Sequence, residues 1–213
     1  NEKARAPLPP FTTASLQQAA AQALGLSPER TMTMAQRLYE AGWITYLRTD
    51  GTAVAPEAQN AARTLIAREH GADYLPTKPP VYAAKTLHAQ EAHEAIRPTD
   101  VERLPQDVDG DSAALYALIW KRFIASQMQP ARYRLTAAQV LAGRLKDYPY
   151  PLAFRIQSLQ MIFDGFLKVY TEPSDEEDAV PEMLPPLSDG QSLKLLDTDI
   201  TEGQTRATVR YTE

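Results

Sequence analysis

The sequence predicts an α+β protein of more than one domain, in which a helical part precedes an antiparallel β part. Apolar residues recur at helical spacing up to about residue 128, whereas from Tyr133 onward they alternate as in strands. The charge balance changes at the same place, because residues 1–132 carry 14 Lys and Arg against 14 Asp and Glu, and residues 133–213 carry 8 against 13. We therefore expect a helical domain over residues 1–132 and a β-rich domain over residues 133–213.

The first half of the helical part predicts two helices and a strand. Thr12 and Thr13 are candidate N-caps of a helix that ends near Leu24, before Gly25. Ser27 and Pro28 are typical of a second helix start, and that helix extends over residues 28–41. Residues 44–47 are good strand formers. Helix, short turn, helix and strand together resemble a helix-turn-helix followed by the first strand of a wing.

Two further helices are predicted after this element. Pro56 begins a helix that ends near His70, and Asp111 is a plausible N-cap for a helix that continues to about Met128. Residues 72–110 between them are rich in proline and polar groups. A loop of this length in a compact domain is usually functional or disordered, so we expect it to matter for function.

The β part predicts a series of strands joined by turns. Asp164-Gly165 and Glu202-Gly203 are turn signals, and residues 171–189 read as an acidic, solvated loop. The predicted strands cover residues 133–141, 152–161, 166–170, 191–199 and 206–211.

Composition excludes several classes of protein. The chain has no cysteine, which excludes disulfides and thiolate metal sites, and no apolar run approaches the roughly 18–20 residues of a membrane span. No signal peptide is visible, and we expect a cytoplasmic protein that does not contact a membrane. The first residue is not methionine, so the chain is expected to be a fragment. A net charge of −5 predicts weak binding to DNA by the chain alone.

The segment around Tyr46 is where the sequence predicts chemistry. In an extended backbone, Tyr46, Arg48 and Asp50 share one face, with neighbouring members roughly 6–7 Å apart. A phenol and a guanidinium at this distance can both contact one phosphate diester. A tyrosine nucleophile has a reference pKa of about 10 and needs a nearby cation, which Arg48 supplies. The alternative is a half-buried strand with a solvated arginine.

Several runs of sequence resemble the type IA DNA topoisomerases. They are Pro9-Pro10-Phe11-Thr12-Thr13, Thr33-Met34-Ala35-Gln36-Arg37-Leu38-Tyr39-Glu40-Ala41-Gly42, Ile44-Thr45-Tyr46-Leu47-Arg48-Thr49-Asp50 and Gln90-Glu91-Ala92-His93-Glu94-Ala95-Ile96-Arg97-Pro98-Thr99. The resemblance implies that Tyr46 becomes linked to a DNA 5′-phosphate while another strand passes, which relaxes negative supercoils without ATP. Gly51 departs from the pattern, because the family often has serine there, and the glycine is expected to loosen the turn after the signature.

The resemblance also implies roles for other residues. His93 would lie beside Tyr46 and contact the scissile phosphate or the Asp50 carboxylate. Glu94 would orient His93 or Arg97, and Arg97 would bind a phosphate or pin its own loop through Asp100. The remaining supporting or DNA-binding candidates are Gln36, Glu40 and Thr99. Gln36 and Glu40 lie one helical turn apart on one face.

The family's magnesium site is expected elsewhere. In type IA enzymes a separate domain with an acidic cluster holds Mg²⁺, and no such cluster stands on an α/β pattern here. His88 and His93 lack the convergent ligands of a zinc site, so we expect no metal on this chain. The expected partners are single-stranded DNA and the rest of a topoisomerase chain, in the bacterial cytoplasm at the nucleoid. The piece alone should be inactive or nearly so.

Two other classes stay open from the residues alone. One is a non-catalytic helix-turn-helix module that binds duplex DNA, against which the neutral charge of residues 1–132 argues. The other is a scaffold or interaction domain that associates through an unpaired sheet edge in residues 133–213.

Overall fold

The computed structural model describes residues 1–82, 93–143, 152–171, 184–197, 199, 202–203 and 205. The chain divides into two compact units, residues 1–183 and residues 184–213. Every helix and strand described below belongs to the first unit. In the second unit, residues 191–197 form no strand, so the strand predicted over 191–199 is wrong in its described part. Residues 206–211 lie outside the described residues.

Four α-helices confirm the predicted helical part. They are α1 (Thr13–Leu24), α2 (Pro28–Glu40), α3 (Pro56–Glu69) and α4 (Ala113–Ser126). Each boundary signal acts locally. The Thr12 side chain accepts from the Ser15 amide at the start of α1, and Gly25 ends it in the left-handed conformation, with φ of 64°. Pro28 is the first residue of α2.

Helix α4 begins two residues later than predicted. Residues Gly110–Ser112 form a 3₁₀ turn before it, and the Asp111 carboxylate accepts from Arg30 at 2.9 Å instead of capping the helix. Two other 3₁₀ turns, Ala72–Tyr74 and Pro105–Asp107, interrupt the segment that was predicted to be mostly loop. Within the described residues, none of the helices is long and apolar enough to cross a membrane.

A three-stranded antiparallel sheet joins the two ends of the helical part. Its order is β1 (Glu2–Arg5), β2 (Ala131–Ala142) and β3 (Leu152–Phe163). Strands β2 and β3 confirm two predicted strands. Strand β1 was not predicted, because its residues are mostly exposed and its partner lies about 130 positions away, with Arg5 opposite Ala131.

The strand predicted over residues 166–170 is wrong. Residues Gly165–Lys168 form a 3₁₀ turn, in which Gly165 has φ of 51° and the Phe166 amide donates to the Gln129 carbonyl at 3.0 Å. Phe166 and Tyr170 are buried while Lys168 between them is exposed, which suits a helical turn, because residues two apart in a strand share a face.

The core of the first unit lies between the helices and gathers the residues around Tyr46. Helix α4 supplies its centre, and Trp120 at its edge donates its indole N–H to the Val101 carbonyl at 3.0 Å. Phe11, Ile44, Leu47 and Ile96 from the connecting segments are buried in the same cluster. Packing of Ile44 and Leu47 into this core therefore holds the segment after α2 in place.

The strand predicted over residues 44–47 is also wrong. Of these residues only Ile44 makes a β-bridge, an isolated antiparallel one with Pro98. The backbone is held by connecting segments and side chains instead of by a neighbouring strand. The first strand of a wing is therefore not formed, although the helix, turn and helix that precede it are.

Candidate active site

Residues 43–51, which we call the tyrosine segment, alternate between exposed and buried from Tyr46 onward. The Tyr46 side chain is 52% exposed, and Arg48 and Asp50 are exposed with it, whereas Leu47 is 1% exposed and Thr49 is 7% exposed. Exposed and buried residues therefore alternate from Tyr46 to Asp50, as the predicted shared face requires, even though the segment is not a strand. That Tyr46, Arg48 and Asp50 point the same way stays a prediction.

One side of the tyrosine segment is bound to residues 93–99, which we call the His93 segment. The Thr45 amide donates to the Arg97 carbonyl at 2.9 Å, and the Arg97 amide donates to Thr45 Oγ1 at 3.0 Å. Thr45 Oγ1 donates to the Ala95 carbonyl at 2.8 Å. The Thr99 amide donates to the Trp43 carbonyl at 3.0 Å, and its hydroxyl donates to the Gly42 carbonyl at 2.7 Å. The two sequence signatures therefore lie side by side.

The other side of the tyrosine segment is bound to the first residue of α1. The Thr13 amide donates to the Thr49 carbonyl at 2.9 Å, and the Thr49 amide donates to Thr13 Oγ1 at 2.9 Å. Thr13 Oγ1 donates to the Leu47 carbonyl at 2.8 Å. Tyr46 and Arg48 thus lie between two sets of backbone hydrogen bonds.

The last turn of α2 borders Tyr46. The rings of Tyr39 and Tyr46 meet edge to face, with centroids 5.4 Å apart and an interplanar angle of 68°. Gln36 and Glu40 do share a face, since Gln36 Nε2 donates to Glu40 Oε1 at 2.8 Å. Tyr39 is thus one α2 residue whose side chain contacts the Tyr46 ring, and a role of Gln36 and Glu40 beside it stays a prediction.

His93 is exposed, and its backbone lies against the turn that follows the tyrosine. A Cβ added at Gly51 would overlap the His93 carbonyl oxygen, so these two backbones approach more closely than any side chain at position 51 allows. The Gly51 amide donates to Thr49 Oγ1 at 3.0 Å. The His93 segment therefore lies against the chain five residues after Tyr46.

Glu94 and Arg97 form an internal ion pair. Arg97 Nη2 donates to Glu94 Oε2 at 2.8 Å, and Arg97 Nη1 donates to the Pro98 carbonyl at 2.9 Å. The second oxygen of Glu94 accepts from the Ala55 amide at 2.7 Å, immediately before α3. Arg97 therefore pins its own loop, through Glu94 and not through Asp100. Its side chain is 12% exposed, which favours that alternative over phosphate binding.

Two tyrosines elsewhere in the first unit are less exposed than Tyr46. Burial raises the pKa of Tyr82 and of Tyr116 to about 12. Their hydroxyls donate to backbone carbonyls, Tyr82 to Ser126 and Tyr116 to Arg103, each at 2.7 Å. Among the tyrosines in the described residues, only Tyr39 and Tyr46 are exposed. A phosphate in solution can reach these two phenols directly.

The described residues contain no group of three or more His, Asp or Glu side chains that could hold a metal ion. His88 lies outside the described residues. The described residues near Tyr46 therefore supply no such group for a magnesium ion.

Thr13 and Thr45 are the site residues that sequence reasoning missed. Thr13 was treated as a candidate cap and Thr45 as a strand residue, yet their hydroxyls hold the tyrosine segment from opposite sides. The signal available in the sequence was the pair Thr12-Thr13, because only one of two adjacent residues can cap one helix.

Comparison with known proteins identifies the family. The DNA topoisomerase family model matches residues 1–213. DNA topoisomerase 1 of Vibrio cholerae serotype O1 is 45% identical over 210 residues, which are 97% of this chain and 23% of that protein. DNA topoisomerase 1 of Pseudomonas aeruginosa is 44% identical over 212 residues, with the same coverage of 97% and 23%.

A solved structure agrees with these relatives. Full-length topoisomerase I from Thermotoga maritima superposes with a TM-score of 0.72 at 36% sequence identity, over 90% of this chain and 30% of that one. The chain spans about a quarter of the length of the curated relatives that it matches. The whole-length family match, the relatives and the shared fold together show that the chain belongs to the type IA DNA topoisomerase family.

Proposed function

We propose that this chain carries the nucleophile-bearing half of a topoisomerase active site, in which Tyr46 attacks a phosphodiester of single-stranded DNA. The bond from Tyr46 Oη to phosphorus forms while the bond from phosphorus to the 3′-oxygen breaks, and the 3′-oxygen leaves as a hydroxyl after gaining a proton. Tyr46 Oη gives up its own proton as it attacks. The 5′-phosphate stays on Tyr46 until the 3′-hydroxyl, losing its proton, attacks phosphorus and Tyr46 Oη leaves and takes a proton back. A second strand passes meanwhile, so negative supercoils relax without ATP.

One observation carries this proposal. Tyr46, Arg48 and Asp50 are exposed on a segment whose backbone is hydrogen-bonded to Thr13 and to the His93 segment. A nucleophile gains from being held in place, because a fixed approach removes much of the entropy cost of the reaction. A solvated strand residue without a function has no need of such support.

Arg48 and His93 supply the positive charge and the proton in this proposal. The Arg48 guanidinium binds the non-bridging phosphate oxygens and stabilises the charge that develops on them. His93, protonated, is a second donor to the phosphate or to the Asp50 carboxylate; neutral, it relays a proton to or from the reacting oxygens. Glu94 and Arg97 keep the His93 segment in place through their ion pair.

The rest of a topoisomerase chain completes the site in this proposal, with an acidic cluster outside residues 1–213 that holds Mg²⁺. Among the described strands β3 is at the edge of the sheet, and its Leu152, Phe154 and Met161 side chains are about half exposed, which supports a partner of this kind. The helical domain over residues 1–132 and the β-rich domain over residues 133–213 would then be parts of a larger enzyme, and the isolated chain would be inactive.

The test is covalent trapping in a full-length topoisomerase that contains this chain. A labelled single-stranded oligonucleotide and Mg²⁺ are added, the reaction is quenched with detergent, and label on the protein is measured. We expect Tyr46→Phe to abolish the labelled band and the matched control Tyr39→Phe, which removes the neighbouring exposed hydroxyl, to keep it. A band that persists in Tyr46→Phe would reject Tyr46 as the nucleophile. Duplex binding that is unchanged by Tyr46→Phe, with no covalent product in the parent, would favour the non-catalytic module.

A further inference from the structure

The two residues with the proposed chemistry lie between the hydrogen bonds that hold the tyrosine segment. On the N-terminal side, Thr45 is bound to the His93 segment through its amide and its hydroxyl. On the C-terminal side, Thr13 binds the Leu47 carbonyl and both backbone polar groups of Thr49. Tyr46 lies between the bonded residues Thr45 and Leu47, and Arg48 lies between Leu47 and Thr49, which Thr13 contacts.

At the start of α1, the side chains of Thr12 and Thr13 make different hydrogen bonds. The Thr12 side chain caps the helix by accepting from the Ser15 amide, and the Ser15 hydroxyl in turn accepts from the Thr12 amide at 2.9 Å. Thr13 is therefore not needed as a cap, and its hydroxyl is directed to another part of the chain, 34 residues away along the sequence.

The Thr13 hydroxyl both accepts a hydrogen bond from the tyrosine segment and donates one to it. It accepts from the Thr49 amide at 2.9 Å and has one proton to donate, for which the Leu47 carbonyl at 2.8 Å is nearer than the Thr49 carbonyl at 3.1 Å. A β-branched side chain at the start of a helix has few rotamers. The rigid end of α1 is thus coupled to the backbone on either side of Arg48.

We propose that Thr13 is a positioning residue for the cleavage reaction, which fixes the orientation of Tyr46 and Arg48 toward the DNA phosphate. This inference rests on the proposed function of Tyr46. Because the Thr13 hydroxyl is bonded to the Leu47 and Thr49 backbone, it acts in this proposal on the rate of bond formation and not on DNA affinity. A misplacement of about 1 Å in a reacting group can slow a reaction on the order of 100-fold.

The test compares threonine variants in a full-length topoisomerase that contains this chain. Single-turnover rates of covalent complex formation, the Kd for the oligonucleotide and the melting temperature are measured for each. Thr13→Val keeps the shape and removes the hydroxyl, and we expect it to slow covalent complex formation on the order of 10-fold to 100-fold with Kd changed less than about 3-fold. Thr13→Ser keeps the hydroxyl and should restore the rate to within about 3-fold of the parent.

Two control variants separate positioning from loss of stability. Thr64→Val deletes an exposed hydroxyl that donates to the Asn60 carbonyl at 3.0 Å on α3, and should change neither rate nor melting temperature. Thr12→Val removes the α1 cap and should lower the melting temperature while the rate of covalent complex formation stays near that of the parent. If Thr13→Val does not fold, Thr13→Ala and Thr13→Ser give the same contrast, since alanine lacks the hydroxyl that serine keeps.

Several results would overturn the inference. The hydroxyl does not position Tyr46 if Thr13→Val reacts at the parental rate. The same conclusion follows if Thr13→Ser is as slow as Thr13→Val, or if Thr12→Val slows the reaction as much as Thr13→Val does. The Tyr46→Phe variant distinguishes a failure of the inference about Thr13 from a failure of the proposed function. If Tyr46→Phe abolishes the covalent complex and Thr13→Val leaves it unchanged, only the inference about Thr13 fails.

Discussion

Gly51 lies buried in the turn after the tyrosine segment, and its missing side chain lets the His93 backbone approach. The overlap that a Cβ would make is with a backbone carbonyl, which cannot move aside as the end of a flexible side chain can. A family member with serine at this position must therefore separate the two backbones by a small shift. That the glycine loosens the turn stays a prediction, and the fold adds that its lack of a side chain lets two parts of the candidate site approach closely.

Position 51 should tolerate an added side chain poorly. Gly51→Ala should lower the free energy of unfolding by about 1–3 kcal/mol, because an added methyl group in a packed region displaces the backbone around it. Gly203→Ala is the control, since nothing lies within 4 Å of a Cβ there and the change should be close to neutral. Urea unfolding followed by circular dichroism measures both. Equal stability of the parent and Gly51→Ala would mean that the His93 backbone is free to move.

At the scale of the elements, the end of α3 packs on the base of the sheet through titratable side chains. The Tyr74 hydroxyl donates to Asp164 Oδ1 at 2.8 Å, and its ring lies 5.0 Å from that of Phe163. His70 stacks near Tyr74, with centroids 6.0 Å apart, and Lys168 Nζ lies 5.1 Å from the Tyr74 ring centroid. This junction connects the helical part to the sheet, away from Tyr46.

A pH dependence follows from this junction. Burial, and then the charge of Lys168, lower the pKa of His70, although Glu69 and Asp164 oppose the shift. The unfolded chain then binds the proton more readily than the folded chain. The stability that His70 contributes is therefore fully present above the ordinary histidine pKa of about 6.5. It is lost as the pH falls through the lowered pKa that His70 has in the folded chain.

The variant His70→Gln checks this expectation, because glutamine does not titrate. Between pH 7.5 and pH 5 the parent should lose more unfolding free energy than His70→Gln does. Urea titrations of both proteins at the two pH values give the comparison. Identical losses would show that His70 has the same proton affinity in the folded and unfolded states.

Patterns along the sequence predicted the elements where the determining contacts are local. Helix caps, prolines and glycines lie within a few residues of the boundaries that they set, and all four helices were located from them. The strand over residues 44–47 failed because its strand-forming residues are bound by Thr13 and the His93 segment, which come from distant positions. The strand over residues 166–170 failed because a buried pair four residues apart fits a helical turn as well as a strand.

At the scale of the whole molecule, charge limits what this chain can do with DNA alone. Residues 1–132 have as many acidic as basic side chains, 14 of each, and several arginines are already paired, Arg30 with Asp111 and Arg68 with Glu102. Affinity for nucleic acid comes mostly from cations that replace counterions on phosphates. Arg48 is exposed beside Tyr46, but one guanidinium is a small electrostatic contribution.

We therefore expect the chain alone to bind a single-stranded oligonucleotide weakly, with Kd of roughly 10 μM or higher at about 0.15 M salt. Fluorescence anisotropy at several salt concentrations measures the affinity and its shallow salt dependence. Arg48→Gln should weaken binding further, whereas Arg30→Gln, which removes a charge already paired with Asp111, should not. Submicromolar binding with a steep salt dependence would instead show a basic surface that the charge count does not reveal.

The fold of the whole first unit was less predictable than its helices, and the reason is topological. The chain contributes β1 to the sheet, builds the helices, and returns to pair β2 beside β1, so the division near residue 132 is crossed by strand pairing. No pattern within residues 2–5 indicates this, because the pairing partner alone makes them a strand. The division into a helical domain over residues 1–132 and a β-rich domain over residues 133–213 stays a prediction.

The same pairing has a mechanical consequence. Arg5 and Ala131 are opposite each other, so the helical part is joined to the sheet by two strands that leave from one end. A pull on the tyrosine segment, directed away from the sheet, loads both strands in the same direction and divides the tension between them. Such a load neither shears β1 along β2 nor peels the two apart, so we expect the attachment to withstand more force than either strand alone.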